Sequence, residues 1–219
     1  MIALDGVSMR FRTGGRETVV ADRIRAVFPT GRAVALLGRN GAGKSTLLRI
    51  IAGTMRPSAG RVRSDGTVSW PVGFGGAFHP DMTGAQNARF IARVYGVDTG
   101  GMLDYVEDFA RLGDKLYQPV RGYSAGMRAR LAFATSMAVR FDTYLVDEVT
   151  AVGDADFRAR SEAVLGARMR AASAIVVSHS MPLLRRLCDA GAVLEDGQLR
   201  YFDDLDAAIA LHQRQMAVA

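Results

Sequence analysis

Four short apolar runs punctuate the chain at wide intervals: Ala33–Leu37 (AVALL), Thr143–Val146 (TYLV), Ala174–Val177 (AIVV) and Ala192–Leu194 (AVL). Each is too short for a buried helix and is bounded by Gly or charged residues, so each predicts a buried strand. Between them, apolar residues recur at helical spacing. The first such stretch, KSTLLRIIAG, stops at Gly53 with Pro57 soon after, a normal helix ending. AQNARFIARVYG, MLDYVEDFARLG, SAGMRARLAFATSMAVR, DFRARSEAVLGARMRAA and MPLLRRLCDA follow, and DLDAAIALHQRQM is the last. Strands alternating with helices predict an α/β fold around a mostly parallel sheet. From about Phe74 to Val139 helix follows helix without a strand, which predicts a helical insertion at 74–139 between two parts of a sheet domain, 1–73 and 140–219. The turn signals RTGGRE and SDGTVSW ahead of it predict a small antiparallel β layer.

A length of 219 residues fits one large domain with a substantial core. The net charge of +6 and a pI near 10.0 admit a nucleic acid or an anionic membrane as partner. The arginines are scattered, however, and form no block of like charge, as on a solvated basic surface. Cys188 is the only cysteine, so no intrachain disulfide can form, which fits a reducing compartment. The start MIALDGVSMRF alternates apolar and polar residues and does not read as a signal peptide. No run approaches the ~20 apolar residues of a membrane helix.

Only two of the 28 Lys and Arg residues are lysine, and one of them is Lys44 in GRNGAGKS. This stretch, Gly38–Ser45, matches G-x-x-x-x-G-K-[ST] and has a strand before it and a helix after it, as that motif requires. Gly38, Gly41 and Gly43 let the backbone curl so that successive N–H groups face a phosphate, and the helix start adds partial positive charge. Ser45 offers a hydroxyl to Mg²⁺, and Lys44 reaches the β- and γ-phosphates. A compact ammonium fits this narrow space where a planar guanidinium would displace the loop. The loop alone indicates only that a nucleoside triphosphate binds.

Four further pieces follow. TYLVDE ends a strand with Asp147, placed to hold a Mg²⁺ water shell, and Glu148, placed to polarise an attacking water; the plainer reading is a surface acidic pair. In YSAGMRARL, Ser124 sits where an N-cap belongs, opening a long helix; it is either an ordinary cap or part of an anion site. Since one loop already holds the terminal phosphate, such a site would serve the nucleotide of a second copy. AIVVSHS ends a strand with His179, either a hydrogen-bonded core histidine or a group at the sheet edge shared with the loop. VGD brings Asp154 into a turn shortly after Glu148.

In this order these pieces resemble the signature series of ATP-binding-cassette (ABC) ATPases over nearly the whole chain. VSWPVGFGGAFHPDMTG, YSAGMRARL and VDEVTAVGD resemble, more narrowly, the ATPase subunits of capsular-polysaccharide exporters. The resemblance implies a P-loop NTPase, RecA-like ABC nucleotide-binding domain with a mostly parallel sheet, a small antiparallel β layer and an inserted helical subdomain. It implies ATP and Mg²⁺ as ligands. It makes Gly38, Arg39, Asn40, Gly41, Ala42, Gly43, Lys44, Ser45 and Thr46 the Walker A loop. It makes Ser124, Ala125 and Gly126 the signature that closes over a partner's ATP. Asp147 becomes the Mg²⁺-side acid acting through water, Glu148 the general base, Asp154 the acid of the loop between subunits, and His179 the switch histidine. Phe11 takes the adenine-stacking position, although a core Phe at a strand end reads equally well.

Two departures stand out. Ala125 and Met127 replace the usual second Gly and the Gln of the signature, while Ser124 and Gly126 remain. No Gln occurs between the Walker A loop and Gln86, which comes too late for the family's Q-loop, so none is assigned; backbone near Phe74–Ala77 or water would take that role. The resemblance further implies a head-to-tail homodimer, peripheral on the cytoplasmic face of the bacterial inner membrane. It would work with transmembrane permease subunits, and with periplasmic-side accessory proteins in the same complex. The region Gly73–Arg93 suits a docking groove for those subunits. The chain ends soon after its last helix, so substrate choice is expected to lie in partner subunits. A soluble cassette ATPase acting on nucleic acid or ribosomes is the alternative that the pI suggests, but two cassettes or long coiled-coil insertions are lacking. A small-molecule kinase would share the loop without using YSAGM.

Overall fold

The computed structural model describes residues 1–73, 76, 78–148 and 154–217, without the side chains of Thr13 and Arg16. The long strands β1 (Ile2–Thr13) and β2 (Arg16–Phe28) form a hairpin whose turn uses Gly14 and Gly15, both with positive φ, as RTGGRE predicts. In β1 the buried apolar residues are Ile2 and Leu4, then Val7 and Met9, so the inward apolar phase switches once. The switch falls at Gly6 (φ 63), where pairing with both β2 and β4 (Ala59–Ser64) shifts register. An extra residue there keeps both halves facing the core despite the period of two.

The order of the three-stranded sheet is β2-β1-β4 and that of the six-stranded sheet is β5-β6-β7-β3-β8-β9. In the larger sheet β3 (Ala33–Leu37), β6 (Thr143–Asp147), β7 (Ser173–Val177) and β8 (Ala190–Glu195) run parallel. Their runs are apolar on both faces because both are covered. Leu36, Leu145, Ile175 and Leu194 join Leu47 and Leu48 of α1 (Lys44–Ile51) and the inner face of the hairpin in one core.

Two strands depart from the sequence reading. SDGTVSW leads into β5 (Val68–Val72), which lies beside β6 in the main sheet rather than in the antiparallel layer. Asp142 accepts hydrogen bonds from the Thr67 backbone N–H at 2.7 Å and its hydroxyl at 2.8 Å, and Leu145 N–H donates to Ser69 Oγ at 2.9 Å. Trp70 meets Phe141 edge-on at 5.4 Å. The two bonds from Thr67 hold the carboxyl of Asp142 below the usual carboxylate range. The edge strand β9 (Gln198–Phe202), absent from the reading, pairs antiparallel with β8 through a turn with Asp196 and Gly197 both at positive φ.

The contacts divide the chain into two units. The first comprises Met1–Pro71, Phe141–Glu148 and Arg168–Ala219; the second comprises Val72–Arg140 and Val149–Ala167. The sequence division left the last segment with the sheet. Phe157 of α5 (Ala155–Ala171) supplies the reason: it packs edge-on against Phe109 of α3 (Thr99–Ala110) at 5.6 Å and Phe133 of α4 (Ala125–Ala138) at 6.0 Å. In α2 (Gly84–Val94), Thr83 and Gln86 close a capping box. Asn87 is buried and fully bonded to the turn before it. Its side chain accepts from His79 N–H at 2.8 Å and donates to the carbonyls of His79, Met82 and Thr83 at 3.2, 3.3 and 3.0 Å. No helix of the described residues is long and apolar enough to cross a membrane.

The last helices, α6 (Met181–Leu187) and α7 (Leu205–Ala217), belong to the first unit. Cys188, after α6, is buried, and its thiol is pushed up to about 12, first by burial and then by Asp189, so it stays protonated. Between α7 and β8 the fit is tight: a Cβ on Gly191 would overlap Ala208. Gly191→Val is expected to lose about 1–3 kcal/mol, the scale of overpacking a filled core, which urea unfolding would measure.

Candidate functional site

The carboxyl end of β3 becomes the Gly38–Ser45 loop, and α1 begins at Lys44. Gly38 (φ 154), Gly41 (φ 82) and Gly43 (φ 99) all have positive φ. A Cβ at residue 38 would overlap the Leu194 carbonyl oxygen, and one at residue 43 would overlap Val20, whereas residue 41 faces open space. Only glycine satisfies both the dihedrals and the two close approaches. Lys44 Nζ donates to the carbonyls of Gly38 at 2.7 Å and Arg39 at 3.0 Å, so the ammonium lies across the loop.

Strands β6 and β7, parallel to β3, deliver their carboxyl ends to the same edge of the sheet. Asp147 ends β6 opposite Val177. Glu148 follows in the left-handed region (φ 55), a conformation that costs a non-glycine residue about 1–2 kcal/mol. Its N–H donates to the Val177 carbonyl at 3.0 Å, and its Oε1 lies 2.8 Å from His179 Nε2. Asn40, Lys44, Ser45, Thr46, Glu148 and His179 line one open cleft of ≈ 440 Å³, with Val20 on its wall. The sequence reading missed Val20, since no motif marks it; its alternation in ETVVAD is that of any half-buried strand. Phe11 lies on β1 opposite Thr18 and is 38% exposed.

The remaining candidates belong to the second unit. Ser124 caps α4 by accepting from Met127 N–H at 3.2 Å, and Ala125 and Gly126 form the first turn. Ser124 and Gly126 line a pocket with Arg130. Asp154 starts α5: its Oδ1 accepts from Phe157 N–H at 2.9 Å, and its Oδ2 pairs with Arg130. The bond from Phe157 N–H is the main influence holding this carboxyl low; desolvation opposes it, and the charge and hydrogen bond of Arg130 add smaller lowering effects. Of VGD only Asp154 is among the described residues, and the backbone proposed for the Q-loop role lies largely outside them. Gln86 is occupied in the capping box of α2, where its Oε1 accepts from Thr83 N–H at 2.8 Å.

The chemistry of the cleft is that of a polyphosphate site. It combines a glycine loop with three positive-φ residues, a helix start, an ammonium and a hydroxyl. No cluster of three His, Cys, Asp or Glu occurs among the described residues. A Mg²⁺ ion does not require one, because it binds through one or two carboxylates plus phosphate oxygens and water. Ser45 and Asp147 fit that donor set.

Burial pushes the Lys44 ammonium below its ordinary value of 10.5, against the opposing charges of Glu148 and Asp147. With the folded value lowered, the charged ammonium opposes folding at neutral pH, and that opposition lifts as pH rises from the folded value to 10.5. The stability of the parent relative to Lys44→Met, measured by urea unfolding, is therefore expected to shift in the parent's favour across that window. A pH-independent difference would remove the desolvation argument.

Residues 21–151 match the family model described as ABC transporter. The chain is 46% identical to the capsule polysaccharide export ATP-binding protein CtrD of Neisseria meningitidis serogroup B, covering 95% of this chain and 96% of that protein. It is 42% identical to the ATP-binding protein BexA of Haemophilus influenzae, with the same coverage. Among solved structures, an ATP-binding cassette captured as a dimer in a post-hydrolysis state bound to ADP and Pi superposes with a TM-score of 0.78. It is 20% identical and covers 94% of this chain and 99% of that one. Motif order, strand placement and these likenesses agree: the chain belongs to the ABC transporter family, as one of its ATPase subunits.

Proposed function

We propose that this chain powers export of capsular or related cell-surface polysaccharide across the bacterial inner membrane. It would act as a head-to-tail pair on the cytoplasmic face, held there by transmembrane permease subunits with periplasmic-side accessory proteins. The observation that carries the reading is the Glu148–His179 contact at 2.8 Å, opening on the cleft that Lys44 crosses. Support for the cargo comes from the capsule exporter named above, and for pairing from the dimeric cassette.

In this reading the whole of 1–219 works as one ATPase domain. The Gly38–Thr46 loop wraps the phosphates of ATP, Lys44 turns from its loop carbonyls to the β- and γ-oxygens, and Phe11 stacks on the adenine. Ser45 and Asp147 would hold Mg²⁺, which would neutralise charge on the phosphate oxygens, with Asp147 acting through water. Glu148 takes the proton of a water as its oxygen bonds to the γ-phosphorus. The bond from that phosphorus to the bridging oxygen breaks, leaving ADP and phosphate. His179 holds the Glu148 carboxylate in place through Nε2. Ser124, Ala125 and Gly126 of the other copy close over the γ-phosphate, and Asp154 lies at the contact between copies. Both signature departures leave the hydroxyl of Ser124 and the small residue at 126 intact.

A groove of ≈ 440 Å³, lined by Phe78, His79, Pro80, Met82, Asn87 and Phe90, suits a segment of the permease. On the three-stranded sheet the nucleic-acid alternative gains little: Arg10, Arg12, Arg61 and Arg63 each face a carboxylate within 4 Å.

Glu148→Gln is expected to keep ATP binding, lower turnover by about 10²–10⁴-fold, the usual worth of a general base, and accumulate an ATP-bound dimer. Normal phosphate release by that variant would refute the assignment. Ser124→Arg should abolish hydrolysis while nucleotide still binds at Lys44; unchanged turnover in a phosphate assay would count against the site shared between copies.

A further inference from the structure

The second of the two lysines, Lys115, also lines a pocket. It lies in the short 3₁₀ segment Gly113–Tyr117 and borders an opening of ≈ 330 Å³ at the start of α4, together with Arg111, Ser124, Gly126, Met127 and Arg130. Both arginines are balanced by acids at the start of α5: Arg111 Nη1 lies 3.3 Å from Asp156 Oδ2, and Arg130 pairs with Asp154. Lys115 differs. Its Nζ donates to the neutral Oε1 of Gln118 at 2.9 Å, and no carboxylate among the described residues pairs with it. The uncompensated positive charge of this pocket is therefore Lys115.

Its position is built rather than loose. The buried ring of Tyr123 sends its hydroxyl to the Lys115 carbonyl at 2.6 Å, and Tyr123 immediately precedes Ser124. The lysine backbone is thus tied to the residue that caps α4, while its side chain stays exposed. The stem is flexible and the ammonium has three donors free to rotate, so it can follow phosphate oxygens as a contact closes. A guanidinium, with its fixed fork, suits the standing ion pairs that Arg111 and Arg130 make.

We propose that Lys115 is a further nucleotide-contacting residue, pairing with the phosphate chain of ATP held in the Gly38–Ser45 loop of a second copy. The proposal rests on the head-to-tail reading given above. It adds a cation outside the signature to the surface that senses the partner's nucleotide. With Asp154 and Asp156 engaging the arginines, this one charge makes ATP-dependent closure sensitive to whether the partner loop is filled.

The test uses the full chain carrying Glu148→Gln, with MgATP titrated during sedimentation. Lys115→Met is expected to raise the ATP concentration for half-maximal pairing by about tenfold or more, the scale of one charge-assisted hydrogen bond. Lys115→Arg, which keeps the charge but not the freely rotating ammonium, should restore pairing in part, to an ATP concentration between those of the parent and Lys115→Met. At protein concentrations too low for pairing, binding of a fluorescent ATP analogue should be the same in all three. Pairing of Lys115→Met at the parent's ATP concentration overturns the proposal, as does weaker analogue binding by its monomer. A Glu148→Gln parent that never pairs overturns the head-to-tail reading itself, and this inference with it.

Discussion

The backbone at the end of β3 runs so close to its neighbours that the Leu194 carbonyl occupies the place of a side chain at residue 38, and Val20 does the same at residue 43. That double squeeze dictates glycine at both positions and fixes how the strand turns into α1. The turn sets Lys44 at the first helical position with its ammonium folded back over the loop. Everything else in the cleft is placed relative to this turn by the parallel register of β6 and β7. A slip of one residue in that pairing would move Asp147 to the opposite face. The left-handed backbone at Glu148 is the local cost of aiming its carboxylate at His179.

Charge is handled differently in the two units. In the first, one desolvated ammonium lies in the field of Glu148 and Asp147, and polyphosphate would bring the counter-charge it lacks. In the second, acids at the start of α5 neutralise Arg111 and Arg130, and Asp108 of α3 lies 3.7 Å from Arg160 of α5; rings back two of these arginines, with Arg130 5.1 Å from the centre of Phe157 and Arg160 4.8 Å from that of Phe109. The choice between Arg and Lys thus follows the task. Standing, stacked ion pairs use the planar fork, and the two pocket linings carry the compact cation.

The parallel core was legible because strands buried on both faces must be apolar throughout, so AVALL, TYLV and AIVV stood out. Strand β5 escaped because its ties to β6 are polar and long-range, from Thr67 and Ser69 to Asp142 and Leu145, and no local pattern encodes them. Strand β9 escaped because it is an exposed edge with weak alternation, although the Asp-Gly of its turn was in plain view. At the site, residues that act through a fixed spacing, such as Gly38 to Ser45, announced themselves. Val20 fills the space beside Gly43, and Lys115 is set apart by having no carboxylate partner among the described residues. Neither property can be read without neighbours.

Asn87 has one further mechanical implication. Its amide is bonded at four points to the turn His79–Thr83, and the capping box adds two more ties at the entry to α2. A turn stitched in this way cannot soak up a displacement by flexing its own dihedrals. Load on the apolar groove beside it would therefore be carried into the eleven-residue helix α2 rather than absorbed in the turn.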